Sequence, residues 1–159
     1  MSAMSLQTET SPPGFTTDER RTWMGLLARS RPDSLANLLP EPLPEHQDLR
    51  APEVGTMMVQ GRTDASGAPF SLGEITVTRA TLHLPCGTTG HALVQGRDRA
   101  HARRAALIDA LMQTPEASRI RERILTPLTK AETDRRQARA AKAAATRVEF
   151  FTLVRGEDK

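Results

Sequence analysis

The stretch GAPFSLGEITVTRATLHLP, residues 67–85, carries a carboxylate, a guanidinium and an imidazole (Glu74, Arg79 and His83) inside a run of strand-forming residues. A carboxylate or an imidazole can exchange protons with a substrate near neutral pH, and a guanidinium can hold an anion. A second group lies in QGRDRAHAR, where Arg97, Arg99 and His101 surround the start of an expected helix. The free N–H groups and partial positive charge of a helix start suit a phosphate or phosphonate oxyanion. Against that, the glycine-rich cradle of a phosphate loop is absent, and Asp98 at the cap position would repel an anion. Cys86, in the turn PCGTTG, has no adjacent basic residue to make it a nucleophile. His83, His91 and His101 do not repeat at metal-ligand spacing, so neither a metal nor a cofactor is expected. With no nucleophile–base pair legible, a stand-alone hydrolase is disfavoured.

The elements that position these groups read as an α+β domain. VGTMMVQGR (54–62), the 72–84 run and HALVQGR (91–97) are three strands joined by short glycine-containing turns, which implies an antiparallel meander. Within the middle strand the alternation changes phase. Ile75 and Val77 are the apolar positions before Arg79, whereas Ala80, Leu82 and Leu84 are the apolar ones after it. Because strand side chains alternate faces, a bulge near Thr78–Arg79 would restore one apolar face. It would also gather Glu74, Thr76, Thr78, Arg79, Thr81 and His83 on the other face. Glu74 and Arg79 then make either a plain surface ion pair or a contact with a substrate or partner. The tetrapeptide VQGR occurs twice, at 59–62 and 94–97, which fits similar strand endings better than an internal repeat.

Residues 1–15, rich in Ser, Thr, Pro and Gly, are expected to be a disordered tail ahead of a single domain over 16–159. Thr16 with Glu19 makes a capping box for a first helix whose apolar stripe is Trp23, Leu26 and Leu27. DSLANLL is a short second helix, and PEPLPEHQDLRAPE is a proline-rich linker. After the sheet, Asp98 caps a helix with Ala105, Ile108, Leu111 and Met112 on one face. Thr114-Pro115-Glu116 restarts the helix, and Pro127 breaks or kinks it with Thr126 as a new cap. RRQARAAKAAATR has high helix propensity with only alanine for an apolar face. VEFFTLV (148–154) reads as a terminal strand holding Phe150 and Phe151, two of only four phenylalanines.

Hydrophobic residues make up 38% of the 159 and aromatic residues 3%, so the core is thin and a partner is expected to complete it. One cysteine excludes an internal disulfide and points to a reducing compartment. No apolar run reaches the ~20 residues that span a bilayer. The N-terminus lacks a signal-peptide pattern, so the expectation is cytoplasmic. Arginines crowd residues 97–147. They suit either a solvated helical face or an independent anion- or nucleic-acid-binding module, but no zinc spacing or aromatic stacking motif supports nucleic acid.

RRTWMGLLARS, APEVGTMMVQGR, GAPFSLGEITVTRATLHL, GHALVQGRDRAHARRAALIDALMQ and TRVEFFTLVRGE together, in this order and spacing, resemble the PhnG family. These are the G subunits of the bacterial carbon–phosphorus lyase core complex. The resemblance implies assembly with H, I and J subunits, and a functional link to an L subunit. It implies support for transfer of an alkylphosphonate to ribose C1 of ATP with release of adenine. It carries over no catalytic residue, so the implied role is structural or co-catalytic, with Phe150 and Phe151 expected at a partner interface.

Overall fold

The computed structural model describes residues 14–63 and 67–146. The expected terminal strand with Phe150 and Phe151, and residues 1–13 of the expected tail, lie outside them. The chain runs α1 (Thr17–Arg29), α2 (Pro32–Leu38), β1 (Gln47–Arg62), β2 (Pro69–His83), β3 (Thr89–Gln95) and α3 (Arg99–Leu111). It continues through α4 (Ala117–Ile120), one π-helical turn (Arg121–Leu125) and α5 (Thr126–Ala145). This is the expected α+β arrangement: N-terminal helices, a three-stranded antiparallel sheet in the order β1-β2-β3, and C-terminal helices.

The capping box forms. Glu19 N–H donates to Thr16 Oγ1 at 3.2 Å, and Thr16 N–H donates to Glu19 Oε2 at 2.7 Å. Both bonds satisfy amides that the first helical turn leaves without partners. Phe15, placed in the tail by composition, packs edge-on against Trp23 with ring centroids 5.1 Å apart. Trp23, Leu26 and Leu27 turn inward as their spacing requires.

The sheet departs from expectation in two places. β1 begins at Gln47, so the second half of the supposed linker is strand, with Pro52 tolerated at an irregularity. Pairing slips between Asp48 and Arg50, between Arg50 and Glu53, and between Val59 and Gln60. The expected bulge at Thr78–Arg79 is absent, because β2 pairs with β3 without interruption from Val77 to His83. The phase change has another cause. From Glu74 onward even-numbered β2 residues face the helices, but helices cover only Thr78, Ala80 and Leu82, while Glu74 and Thr76 lie towards the uncovered end and Val77 is buried on the opposite face. A sequence pattern that follows burial changes where the cover ends, with no break in the strand.

The core lies between that covered face and α3. Ala102, Ala105, Ala106 and Ala110 let α3 settle closely on the sheet, with Leu82, Val94, Leu107 and Ile108 filling the layer. At Gly90 the approach leaves no room for a side chain. A Cβ there would collide with the Ala106 carbonyl and lie 2.7 Å from the Ala110 nitrogen. The two VQGR copies are unlike in conformation: Gly96 has φ +96 at the exit from β3, whereas Gly61 lies inside β1 beneath Phe70.

Pro127 does not break the helix. The wider π turn immediately before it changes the backbone where the proline ring would meet the carbonyl four residues back. Thr126 is therefore no cap; its hydroxyl donates to the Arg121 carbonyl, five residues back, at 3.1 Å. Residues 136–146 of α5 and its C-cap are exposed, as an alanine-only face predicts.

Candidate functional site

The sheet does not gather Glu74, Arg79 and His83 into one cluster. Arg79 and His83 share the face turned away from the helices, and Glu74, paired with Met58, lies on the other. Arg79 Nε donates to Glu53 Oε1 at 2.8 Å, so the partner of Arg79 is Glu53 across the strand rather than Glu74. His83 Nε2 lies 2.9 Å from Gln47 Oε1, and Thr81 Oγ1 lies 3.2 Å from His91 Nδ1. The open face is thus a polar row near the β2–β3 turn. It gives way to apolar residues along the β1–β2 ribbon, where Met57 is 41%, Phe70 45% and Leu72 67% exposed. Met58, 54% exposed, brings apolar surface to the ribbon's other side as well.

At the start of α3, Asp98 Oδ1 accepts the His101 N–H at 2.8 Å, so the chain's own carboxylate occupies the cap. The His101 side chain is buried and points away from that end. Its Nε2–H donates to the Leu27 carbonyl at 2.9 Å, joining the Ser30 amide and hydroxyl on the same oxygen at the end of α1. Arg97 and Arg99 stay at the surface beside Val54, around an open groove of about 530 Å³. The structure therefore keeps two of the three phosphate candidates together and sends His101 into the core.

Sequence reasoning missed the most heavily bonded ionisable group, Asp109, which is fully buried. Arg20 grips it with two bonds, Nη2 to Oδ2 at 2.7 Å and Nε to Oδ1 at 3.2 Å. Trp23 Nε1 donates to Oδ1 at 2.9 Å, and the His91 amide donates to Oδ2 at 2.9 Å. One carboxylate thus joins α1, α3 and β3. The signal was present in AALIDALM, a lone acid within an otherwise apolar helical face, because such a charge must be paired if buried.

Other arginines are also used internally. Arg103 reaches Asp48 at 2.7 Å, and Arg104 reaches the Leu39 carbonyl at 3.1 Å and Glu41 at 2.9 Å, which fastens the segment before β1 onto α3. Arg29 and Arg136 both hold Glu132, at 3.0 and 2.7 Å. The Arg29 hydrogen bond keeps that carboxyl below its ordinary 4.5 against the opposing pull of burial. Cys86 is exposed, and hydrogen bonding with Thr88 lowers its pKa. Among the described residues no three His, Cys, Asp or Glu side chains are gathered to hold a metal ion, and no helix is long and apolar enough to cross a membrane.

Comparison with known proteins agrees with the earlier resemblance. The family described as "Phosphonate metabolism protein PhnG" matches residues 18–156. A relative from Rhizobium meliloti (strain 1021), named "Alpha-D-ribose 1-methylphosphonate 5-triphosphate synthase subunit PhnG", is 46% identical over 143 residues. That alignment covers 88% of this chain and 91% of the relative. The match spans every helix and strand described above apart from the first residue of α1, and the chain belongs to the PhnG family of phosphonate metabolism proteins.

Proposed function

We propose that this chain is a subunit of an alkylphosphonate-ribosylating synthase in phosphonate catabolism. The complex would transfer an alkylphosphonate to ribose C1 of ATP and release adenine. The observation that carries this reading is the 46% identity, along nearly the whole of both chains, to a relative named as a subunit of such a synthase. The chain's own part is structural or co-catalytic, within an assembly of H, I and J subunits acting with an L subunit in the cytoplasm.

The geometry supports a subunit's role. Beyond the edge of α3 the β1–β2 ribbon extends with Met57, Met58, Phe70 and Leu72 exposed. A two-stranded ribbon is at best marginally stable in water, and apolar side chains on both faces mark an interaction surface. The internal pairing of Arg20, Arg29, Arg103, Arg104 and Arg136 weighs against a general nucleic-acid platform. Arg97 and Arg99 are the pair we assign to the anionic part of the substrate in the assembled complex.

Co-expression with the H, I and J subunits, with a tag on one of them, tests the assembly. Adenine release from ATP and methylphosphonate tests the reaction. Purification of this chain alone as a monomer with salt-sensitive binding to RNA or DNA would favour the nucleic-acid module instead.

A further inference from the structure

Among the described residues β3 is an edge strand of the sheet, and its outer side is only partly used. The Gly96 amide bonds the Thr76 carbonyl and the Leu84 amide bonds the Thr88 carbonyl, so the even-numbered residues of β3 bond to β2 and the odd-numbered ones point outward. Of these outward groups, the Thr89 carbonyl is taken by Gln113 Nε2 at 2.9 Å, and the His91 amide by Asp109 at 2.9 Å. The Leu93 amide and carbonyl and the Gln95 amide have no hydrogen bond among the described residues. The Leu93 groups open onto an apolar groove of about 490 Å³ between β3 and α1, and Gln95 follows just beyond its last lining residue, Val94. On the α1 side the groove is lined chiefly by Thr17, Arg21, Met24, Gly25 and Ala28, of which Met24 and Ala28 also pack against the edge of the core.

We propose that this groove takes residues 148–154, VEFFTLV, from a second copy of the chain, added as a fourth strand to β3. Alternation puts Glu149, Phe151 and Leu153 on one side of that strand, about 6.6 Å apart in turn. The groove stripe Arg21, Met24–Gly25 and Ala28 advances by a comparable ~5–6 Å per step along the helix. In this register Glu149 meets Arg21, which has no ion pair among the described residues, and Phe151 lies at Gly25, where the Arg29 guanidinium fills the space a Cβ would take and can stack on the ring. Phe150 falls on the opposite side, next to the exposed Leu93.

The donor has to be another molecule because of reach. α5 is anchored to the end of α1 by Glu132–Arg29 at 3.0 Å and by Arg135 to the Arg29 carbonyl at 3.4 Å. From Glu132 the helix carries on to Ala145, on the order of 20 Å further. The residues from there to Glu149 span at most on the order of 13 Å. Arg21 lies on the far side of that anchor, roughly 12 Å back along α1. A strand leaving α5 therefore falls short of its own groove, while reciprocal exchange between two copies satisfies both. This inference does not depend on the synthase reading.

In the full chain, purified with whatever subunits accompany it, hydrogen exchange at Leu93 and Gln95 should be slow. Truncation after Thr146 should speed it by roughly tenfold or more, leaving Ala92 and Val94 protected. A Cys pair at Ala28→Cys and Leu153→Cys, in a Cys86→Ser background, should give a disulfide-linked product of two chains under oxidation. Arg21→Glu and Glu149→Arg should each weaken that crosslink, and their combination should restore it. Unchanged exchange on truncation, a link within one chain, a link to a different subunit, or no link would each overturn the proposal.

Discussion

Trp23 Nε1 and Asp109 Oδ1 are 2.9 Å apart in the core, so the only tryptophan spends its one polar atom on a buried carboxylate. Arg20 supplies the countercharge from the side with a planar two-point grip, and the His91 amide completes the set. Removing one member of such a set leaves the others desolvated without partners. Asp109→Ala should therefore destabilise the fold by about 3–5 kcal/mol, and Arg20→Met by a similar amount through the unpaired carboxylate. Urea titration of the two variants checks this. A loss below about 1 kcal/mol for Asp109→Ala would reduce the cluster to an ordinary hydrogen bond.

Acid should loosen the α1–α5 contact. Glu132 has its pKa depressed in the folded chain, chiefly by the Arg29 hydrogen bond and then by the nearby charges of Arg29 and Arg136. A depressed carboxyl contributes stability above its unfolded value, and that contribution disappears as pH falls through the folded value. Stability should thus decline as pH drops below about 4.5, and the part due to Glu132 should be missing in Arg29→Ala. Thermal melts of both proteins at pH 7 and pH 4 would show whether the drop shrinks in the variant; equal drops would contradict it.

Gly90→Ala should be worse than a loop substitution of the same size. The added methyl meets backbone atoms of Ala106 and Ala110, which cannot swing aside as a flexible side chain would. Overpacking of this kind costs about 1–3 kcal/mol. Gly14→Ala, where the new methyl meets nothing, is the control, and its denaturation midpoint should stay close to the parent's.

Charge placed on the ribbon should separate assembly from folding. Met57→Asp and Phe70→Asp alter exposed positions, so the isolated chain should keep its helical circular dichroism while recovery with tagged partner subunits falls at least about tenfold. Normal recovery would remove the ribbon from the interface.

Arg97→Ala and Arg99→Ala should lower adenine release by the assembled complex with recovery unchanged, and Arg79→Ala should do so less, because Arg79 is already engaged with Glu53. Glu74→Gln serves as the comparison on the opposite face of β2. Full activity in both Arg97 and Arg99 variants would leave those residues as surface charge.

Local signals were legible where local chemistry decides the outcome. The Thr16–Glu19 box, the Asp98 cap and the three strands are each written in a few neighbouring residues. What eluded the sequence depends on where one element ends relative to another. The apparent phase break in β2 records the edge of helical cover, which no residue of β2 encodes. His101 looked like part of an anion site because its amide is at the right place, yet its ring serves the far end of α1. Asp109 escaped notice because its partners Arg20, Trp23 and His91 are remote in sequence.

The π turn at Arg121–Leu125 has a consequence for insertions and deletions. Each residue of an α-helix turns the chain by about 100°, and a π turn absorbs one extra residue without changing the helix axis much. Deleting one residue there would let α4 and α5 run on as a single regular helix in nearly the same phase, whereas forcing the full sequence into α-helical turns would rotate everything after it by that angle. In that all-α form Leu128 would leave the core and Glu132 would leave Arg29, so the projecting end of α5 would aim its cargo elsewhere. The wider turn works like a slack link, taking up the extra residue so that the compass bearing at which the last third of α5 departs is kept.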